Sequence, residues 1–269
     1  MIFLEKNSFI SCVKHRWNSC LSATPPPLGN EYTQSEYVDF MKAEISRYSP
    51  SYTKARVTVK GEEKLLSAME QSNVIIGMLH HGSWILIGGV IRHVLNLPYT
   101  VVASRRNFDV MSENDKQYWE YAHRLINTHY QSQCFYSDQA PFRVIRWLNK
   151  QPAALGVVFD VREYNQSYNE SKIAFDDRQL YVQTGPAKLA RMTNVTIVPA
   201  AIHYDQAQRK HELEFFDALS PVKFSSDVAL TQAVFSALEP NYTTYERQRF
   251  YDMTELFSAP HIPNNTVIT

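Results

Sequence analysis

Apolar positions along the chain fall into short continuous runs separated by longer, one-sided polar stretches. Val74 to Leu79 is such a run, of strand length, and from Ser83 through Val94 the apolar residues recur as they do in a buried helix. Tyr99 to Ala103, Pro152 to Phe159 and Val195 to Ile202 repeat the buried-strand pattern, Ala55 to Lys60 alternates as a short strand, and Leu213 to Phe216 is a further candidate. Between them Ser35 to Tyr48, Glu62 to Gln71, Glu113 to Thr128, Pro141 to Asn149 and Pro186 to Met192 have helix character, the last with proline at the first position that helices prefer. Strands buried on both faces, alternating with helices, predict an α/β fold: a mostly parallel central sheet with helices on both faces. Residues 164–180 are polar and turn-rich and read as a mobile loop, either a lid or simply a long connection. The prolines of residues 24–30 form a rigid connector. The expected organisation is therefore an N-terminal arm and linker over 1–30, one α/β domain over 31–260, and a frayed tail over 261–269.

Composition narrows the function more than the fold. Lys plus Arg equals Asp plus Glu, at 27 each, so no global field recruits nucleic acid, and no nucleic-acid partner is expected. Sixteen Tyr and 14 Phe favour a sizeable core and an apolar pocket. Cys12, Cys20 and Cys134 form no CxxC pair and are odd in number, which argues against a disulfide framework and for a reducing cytoplasm. No cluster of His, Cys, Asp and Glu has ligand spacing, so no metal is expected. The N-terminal apolar stretch is broken by Glu5, Lys6, Lys14, His15 and Arg16, so no transmembrane segment is expected.

Candidate chemistry collects at the ends of the predicted strands, where open α/β sheets place their ligands. The first strand runs into His80 and His81, then into Gly82, which allows a tight turn, and Ser83, which can cap the following helix. The amides of that first helical turn would offer a site for negative charge, and a base beside an anion site suits acyl transfer. Two adjacent histidines are equally compatible with satisfied core residues or a surface turn. The next strand delivers Ser104, Arg105, Arg106 and Asn107 to the same edge, where the arginines would clamp a phosphate or carboxylate or simply occupy a solvated turn. A third strand ends in Asp160, Arg162 and Glu163. Trp84 behind the histidines reads as core packing or as a pocket wall. Gly88 and Gly89 inside the helix imply close packing on the sheet, or room left for an acyl chain.

Several of these blocks, in this order, resemble a known family. The segment VTVKGEEKLLSAMEQSNVIIGMLHHGSWILIG is similar to the lipid A late acyltransferases, the lauroyl and myristoyl transferases of the glycerol-3-phosphate acyltransferase-like superfamily. Their strand runs into His-x-Gly-x-Trp followed by an acid, which here falls on His80, Gly82, Trp84 and position 85. The resemblance continues through SRRNFD, GVVFDV and TGPAKLARMTNVTIVPA to Pro240 and Tyr242, and covers about residues 55–250.

The resemblance implies a bacterial acyltransferase in which histidine, as general base, deprotonates an acceptor hydroxyl or amine for attack on an acyl thioester, while an acid five residues later supports the imidazolium. Here the fifth residue after His80 is Ile85, and the fifth after His81 is Leu86. Asp160 is the first choice to replace the missing acid, with Asp109 and Glu163 behind it. The alternatives are a substituting role for His81, an amine acceptor needing only a weak base, and a silent homologue that keeps the pocket. Thioester hydrolysis is a further competing reaction. The expected catalytic set is His80, His81 and Asp160, and the expected substrate-binding set is Gly82, Ser83, Trp84, Arg105, Arg106, Asn107, Arg124 and Arg162. No cofactor is expected to be bound. The donor is an acyl thioester on phosphopantetheine, of carrier protein or CoA, with an acidic acyl carrier protein as the expected partner for basic residues such as Arg105, Arg106, Arg124, Arg143 and Arg146. Family members usually begin with an apolar membrane helix; none is expected here, which points to a small-molecule or carrier-bound acceptor and to a cytoplasmic protein, with room for peripheral contact with the inner membrane.

Overall fold

The computed structural model describes residues 42–43, 46–103, 113–130, 132–136, 140–148, 152–161 and 170–248. In chain order the elements are α1 (Pro50–Arg56), β1 (Val57–Lys60), α2 (Glu62–Gln71), β2 (Val74–Met78), α3 (Leu86–His93), β3 (Tyr99–Ala103), α4 (Glu113–His129), β4 (Phe135–Tyr136), α5 (Ala140–Leu148) and β5 (Ala154–Val158). They continue with β6 (Glu170–Phe175), β7 (Arg178–Gln183), α6 (Gly185–Thr193), β8 (Thr196–Asp205), β9 (Lys210–Phe215) and α7 (Asp227–Thr244).

Seven strands form one sheet in the order β1-β9-β8-β2-β5-β3-β4, and every pairing is parallel except β8 with β9. This is the α/β architecture, a mostly parallel sheet between helical layers, that the apolar runs predict. β2 lies between β5 and β8, and all its residues are buried, as expected of a strand covered on both faces. Its side chains alternate between two core clusters. Ile75 joins Val234 and Phe235 of α7, whereas Val74, Ile76 and Met78 join Leu86, Ile87, Val90 and Ile91 of the α3 layer.

The elements depart from the expected boundaries where polar residues hide a buried face. Residues 164–180 are not one long loop: Glu170–Phe175 and Arg178–Gln183 pair as an antiparallel hairpin. Asp176 and Asp177 both take positive φ, at 54° and 57°, the two-residue turn whose twist suits paired strands. Ile173, Phe175, Leu180 and Val182 are buried beneath the polar alternation, and the Gln232 side chain of α7 bonds both the N–H and the carbonyl of Ala174, at 2.7 and 2.8 Å. That part of the expected loop is thus held on a helix, and residues 164–169 lie outside the described residues. The predicted strand Ala55–Lys60 starts at Val57, because Ala55 and Arg56 finish α1. The helix expected from Ser83 starts at Leu86. Helix α7, with Pro240 inside it, and the short β4 were not predicted.

The N-terminal arm, most of Ser35–Tyr48, the cluster Ser104, Arg105, Arg106, Asn107 and Asp109, the pair Arg162 and Glu163, and the tail lie outside the described residues. Among the described residues no helix is long and apolar enough to cross a membrane.

Candidate active site

The site grows from the parallel register of β2 and β5. That register pairs Val74 with Ala154 and ends with Met78 opposite Val158. His80 and Asp160 each lie two residues further on, so the two strands deliver them side by side at the carboxyl edge of the sheet. One carboxylate oxygen of Asp160 accepts from the His80 backbone N–H at 2.8 Å, and the other lies 2.9 Å from His80 Nδ1. A carboxylate oxygen only accepts, so Nδ1 carries a proton, and in the neutral ring Nε2 then carries the lone pair. Asp160 is 1% exposed and the His80 side chain 20% exposed. The carboxylate is thus buried while the ring is partly exposed.

Trp84 packs its ring edge-on against His80, with centroids 4.9 Å apart and planes at 76°, and is itself packed against the α3-side core. Ile85, where the resemblance expects the acid, stands at the cap position of α3. The carboxylate comes from the neighbouring strand instead.

His81 points elsewhere. Its ring is buried, donates from Nε2 to the carbonyl of Tyr245 at 2.8 Å, and lies 5.2 Å from the ring of Tyr242. Gly82 has φ +55°, and a Cβ added there would stand 1.9 Å from the carbonyl oxygen of Ile202. Its N–H donates to the carbonyl of Gln248 at 2.7 Å. Ser83 is buried and makes no side-chain cap to α3; instead its carbonyl accepts from Leu86 N–H at 2.8 Å, and that of Trp84 from Ile87 N–H at 3.1 Å. Two amides of the expected anion site are therefore spent inside the turn.

The alternative that Gly88 and Gly89 leave room for an acyl chain is also settled by packing. A Cβ on Gly88 would meet the Tyr99 ring at 2.4 Å, and one on Gly89 would meet the carbonyl oxygen of Arg47 at 2.5 Å. Behind the histidine loop a small cavity lined by Leu79, His81, Trp84, Leu238 and Tyr242 has room for about one water molecule. That is far below the several hundred Å³ that an acyl-sized ligand requires.

Arg124 is exposed on α4, with its guanidinium 5.7 Å from the Tyr121 ring. Arg124 lies within α4, eleven residues past its first residue Glu113, and no bond or contact between it and His80 or Asp160 is found among the described residues. The structure thus brings together His80, Asp160 and Trp84, and turns His81 inward. Tyr245 and Gln248, which hold the residues after His80, had no signal in the sequence: their bonds to the loop use backbone carbonyls, which any residue type supplies.

No protein-family model matches the chain, and no curated protein matches it. Among solved structures, the chain is similar to the 1-acyl-sn-glycerophosphate (LPA) acyltransferase PlsC from Thermotoga maritima, with 14% identity and a TM-score of 0.45, over 91% of this chain and 97% of that one. A likeness of that size carries no weight for the chemistry, which rests on the geometry of the chain itself.

Proposed function

We propose that the protein is an acyltransferase in which His80 is the general base and Asp160 its orienting acid. The observation that carries this reading is the two-point hold of the buried Asp160 carboxylate on the His80 amide and ring. Nε2 is then the ring nitrogen that takes up a proton in the reaction. His80 Nε2 takes the proton of an acceptor hydroxyl or amine as that atom attacks the carbonyl carbon of an acyl thioester. The tetrahedral intermediate collapses by breaking the carbon–sulfur bond, and the departing thiolate receives the proton back from Nε2. Asp160 supports the transient imidazolium throughout, as the triad carboxylate does for its histidine.

The resemblance to lipid A late acyltransferases supports a phosphopantetheine thioester as the donor, on an acyl carrier protein or CoA. Arg124, Arg143 and Arg146, exposed on α4 and α5, supply positive charge for an acidic carrier. Mass spectrometry of wild type and His80→Ala with acyl carriers of several chain lengths, and with hydroxyl and amine acceptors, tests the reading. Acyl transfer by wild type and a loss of about a hundredfold or more in the variant are expected. Release of free fatty acid alone would make the protein a thioester hydrolase. Binding of the carrier without turnover would make it a silent homologue.

A further inference from the structure

The residues that follow His80 lie against an edge of β8 that β2 has abandoned. β2 pairs with β8 only as far as Pro199, yet β8 continues to Asp205 along β9. Backbone groups alternate between the two sides of a strand. Ile197 exchanges both of its bonds with Leu219, and the Pro199 carbonyl accepts from Phe216, all on the β9 side. The alternation therefore turns the groups of Ile202 and Tyr204 toward the side that β2 has left.

Gln248 fills that gap. The Tyr204 N–H donates to Gln248 Oε1 at 2.7 Å, and Gln248 Nε2 donates to the Tyr204 carbonyl at 2.8 Å, so one side-chain amide replaces a strand partner. Its backbone carbonyl meanwhile accepts from Gly82 N–H at 2.7 Å, and Gln248 is 5% exposed. Three residues earlier, Tyr245 takes the His81 ring proton on its carbonyl and stacks its own ring on His203, 3.6 Å away and at 11°. One turn, anchored by the buried Gln248, thus ties the two residues after His80 to the end of β8.

We infer that Gln248 is a positioning residue for His80, an inference that rests on the reading of His80 as base. Asp160 holds the His80 amide only while the loop backbone stays where β2 leaves it. The far end of that loop, the Gly82 amide, is fixed by Gln248 alone among the bonds described here. Losing the Gln248 amide takes this partner from the part-buried Tyr204 N–H and carbonyl and frees the turn that carries the Gly82 acceptor. A base displaced by about 1 Å costs on the order of a hundredfold in rate.

The test is a cycle of Gln248→Ala and His80→Ala, assayed for acyl transfer, with histidine ¹⁵N NMR on the folded proteins. Gln248→Ala is expected to lower kcat about ten- to a hundredfold with KM within threefold, and to change the residual rate of His80→Ala by less than twofold. In the NMR spectra the Nδ1-protonated ring of His80 should give way to a mixture of tautomers. Equal losses in both backgrounds, or unchanged His80 ring signals in folded Gln248→Ala, would overturn the inference. Gln248→Glu, which keeps the acceptor for Tyr204 N–H, replaces the alanine variant if that one does not fold. If wild type transfers no acyl group, the proposed activity fails, while the ring signals still decide whether Gln248 sets His80.

Discussion

His80 and Asp160 are register equivalents on adjacent parallel strands, each two residues beyond the Met78 and Val158 pair that ends the β2–β5 ladder. Parallel strands emerge from a sheet in the same direction, so residues at matched positions past its edge meet without any sequence proximity. That placement gives His80 a carboxylate partner while position 85 holds an apolar residue. An acid on the following helix would approach the ring from its own chain, whereas Asp160 approaches from the neighbouring strand and also takes the backbone amide.

Asp160→Asn should therefore damage turnover more than binding. With its amide oxygen turned to the His80 N–H, the new NH₂ group would face Nδ1 as a donor and drive the ring proton to Nε2. The base would then present a proton where it needs a lone pair. A loss in kcat of about 10²–10⁴-fold is expected, with KM changed by no more than a few-fold. Steady-state kinetics on the acyl donor found active with wild type would check it, and a variant within threefold of wild type would remove Asp160 from the mechanism.

Gly82 is irreplaceable for two independent reasons. Its φ of +55° is strained for any residue with a Cβ, and that Cβ would lie 1.9 Å from the Ile202 carbonyl oxygen, a backbone atom that cannot swing aside. Gly82→Ala is expected to cost about 3 kcal/mol or more in urea unfolding. Gly185→Ala is the control, because nothing lies within 4 Å of its added Cβ, and a change within about 0.5 kcal/mol is expected. Similar midpoints for the two variants would show that the histidine loop yields more easily than its geometry implies.

How far the sequence spoke for itself depended on which groups carried the information. β2 and β5 were legible as apolar runs because strands covered on both faces are apolar nearly throughout, and β3 as a short run rich in β-branched residues. Asp160 was legible as a candidate because it ends such a run, although only the register places it opposite His80. The β6–β7 hairpin was misread because it buries one side chain in two beneath Glu, Ser, Lys and Asp, and its Asp176–Asp177 turn lacks the glycine that usually marks a tight hairpin. Helix α7 was obscured by Pro240 in its interior and by an apolar surface spread around the helix rather than along one stripe. Gln248 was invisible, since what it satisfies is the backbone of Tyr204, more than forty residues away in the chain.

Gly88→Ala sets two effects against each other. Alanine in a helix interior is favoured over glycine by about 1 kcal/mol. Against that, the new Cβ would stand 2.4 Å from Tyr99 Cε1, and the ring has no retreat, because Tyr99 is 2% exposed and its hydroxyl presses on the face of Gly156. Overpacking of this kind costs about 1–3 kcal/mol, so a net loss of stability is expected. Tyr99→Leu in the Gly88→Ala background should recover part of it by making space, and thermal unfolding of the single and double variants would read the non-additivity.

His203 makes the anchor behind the loop sensitive to acid. It is buried on β8, stacked on Tyr245, and its Nδ1 faces the Asn241 amide at 3.3 Å. Burial pushes its pKa below 6.5; Glu212 on β9 and Asp205 on its own strand pull it back up, while Lys60 on β1 pushes it further down. The folded protein therefore holds His203 neutral where the unfolded chain would already bind a proton. With the unfolded state binding more protons, stability rises with pH through that window. His203 makes its full contribution above about pH 6.5, and this is lost as the pH falls toward the folded value. His93, lowered chiefly by burial and then by His129 and Arg92, acts in the same direction. Urea midpoints should accordingly drop between pH 7.5 and pH 5.5 in wild type, drop less in His203→Gln, and drop least when His93→Gln is added. Should His203→Gln lose as much as wild type over the same range, other groups govern the acid response, and His203 binds protons equally well folded and unfolded.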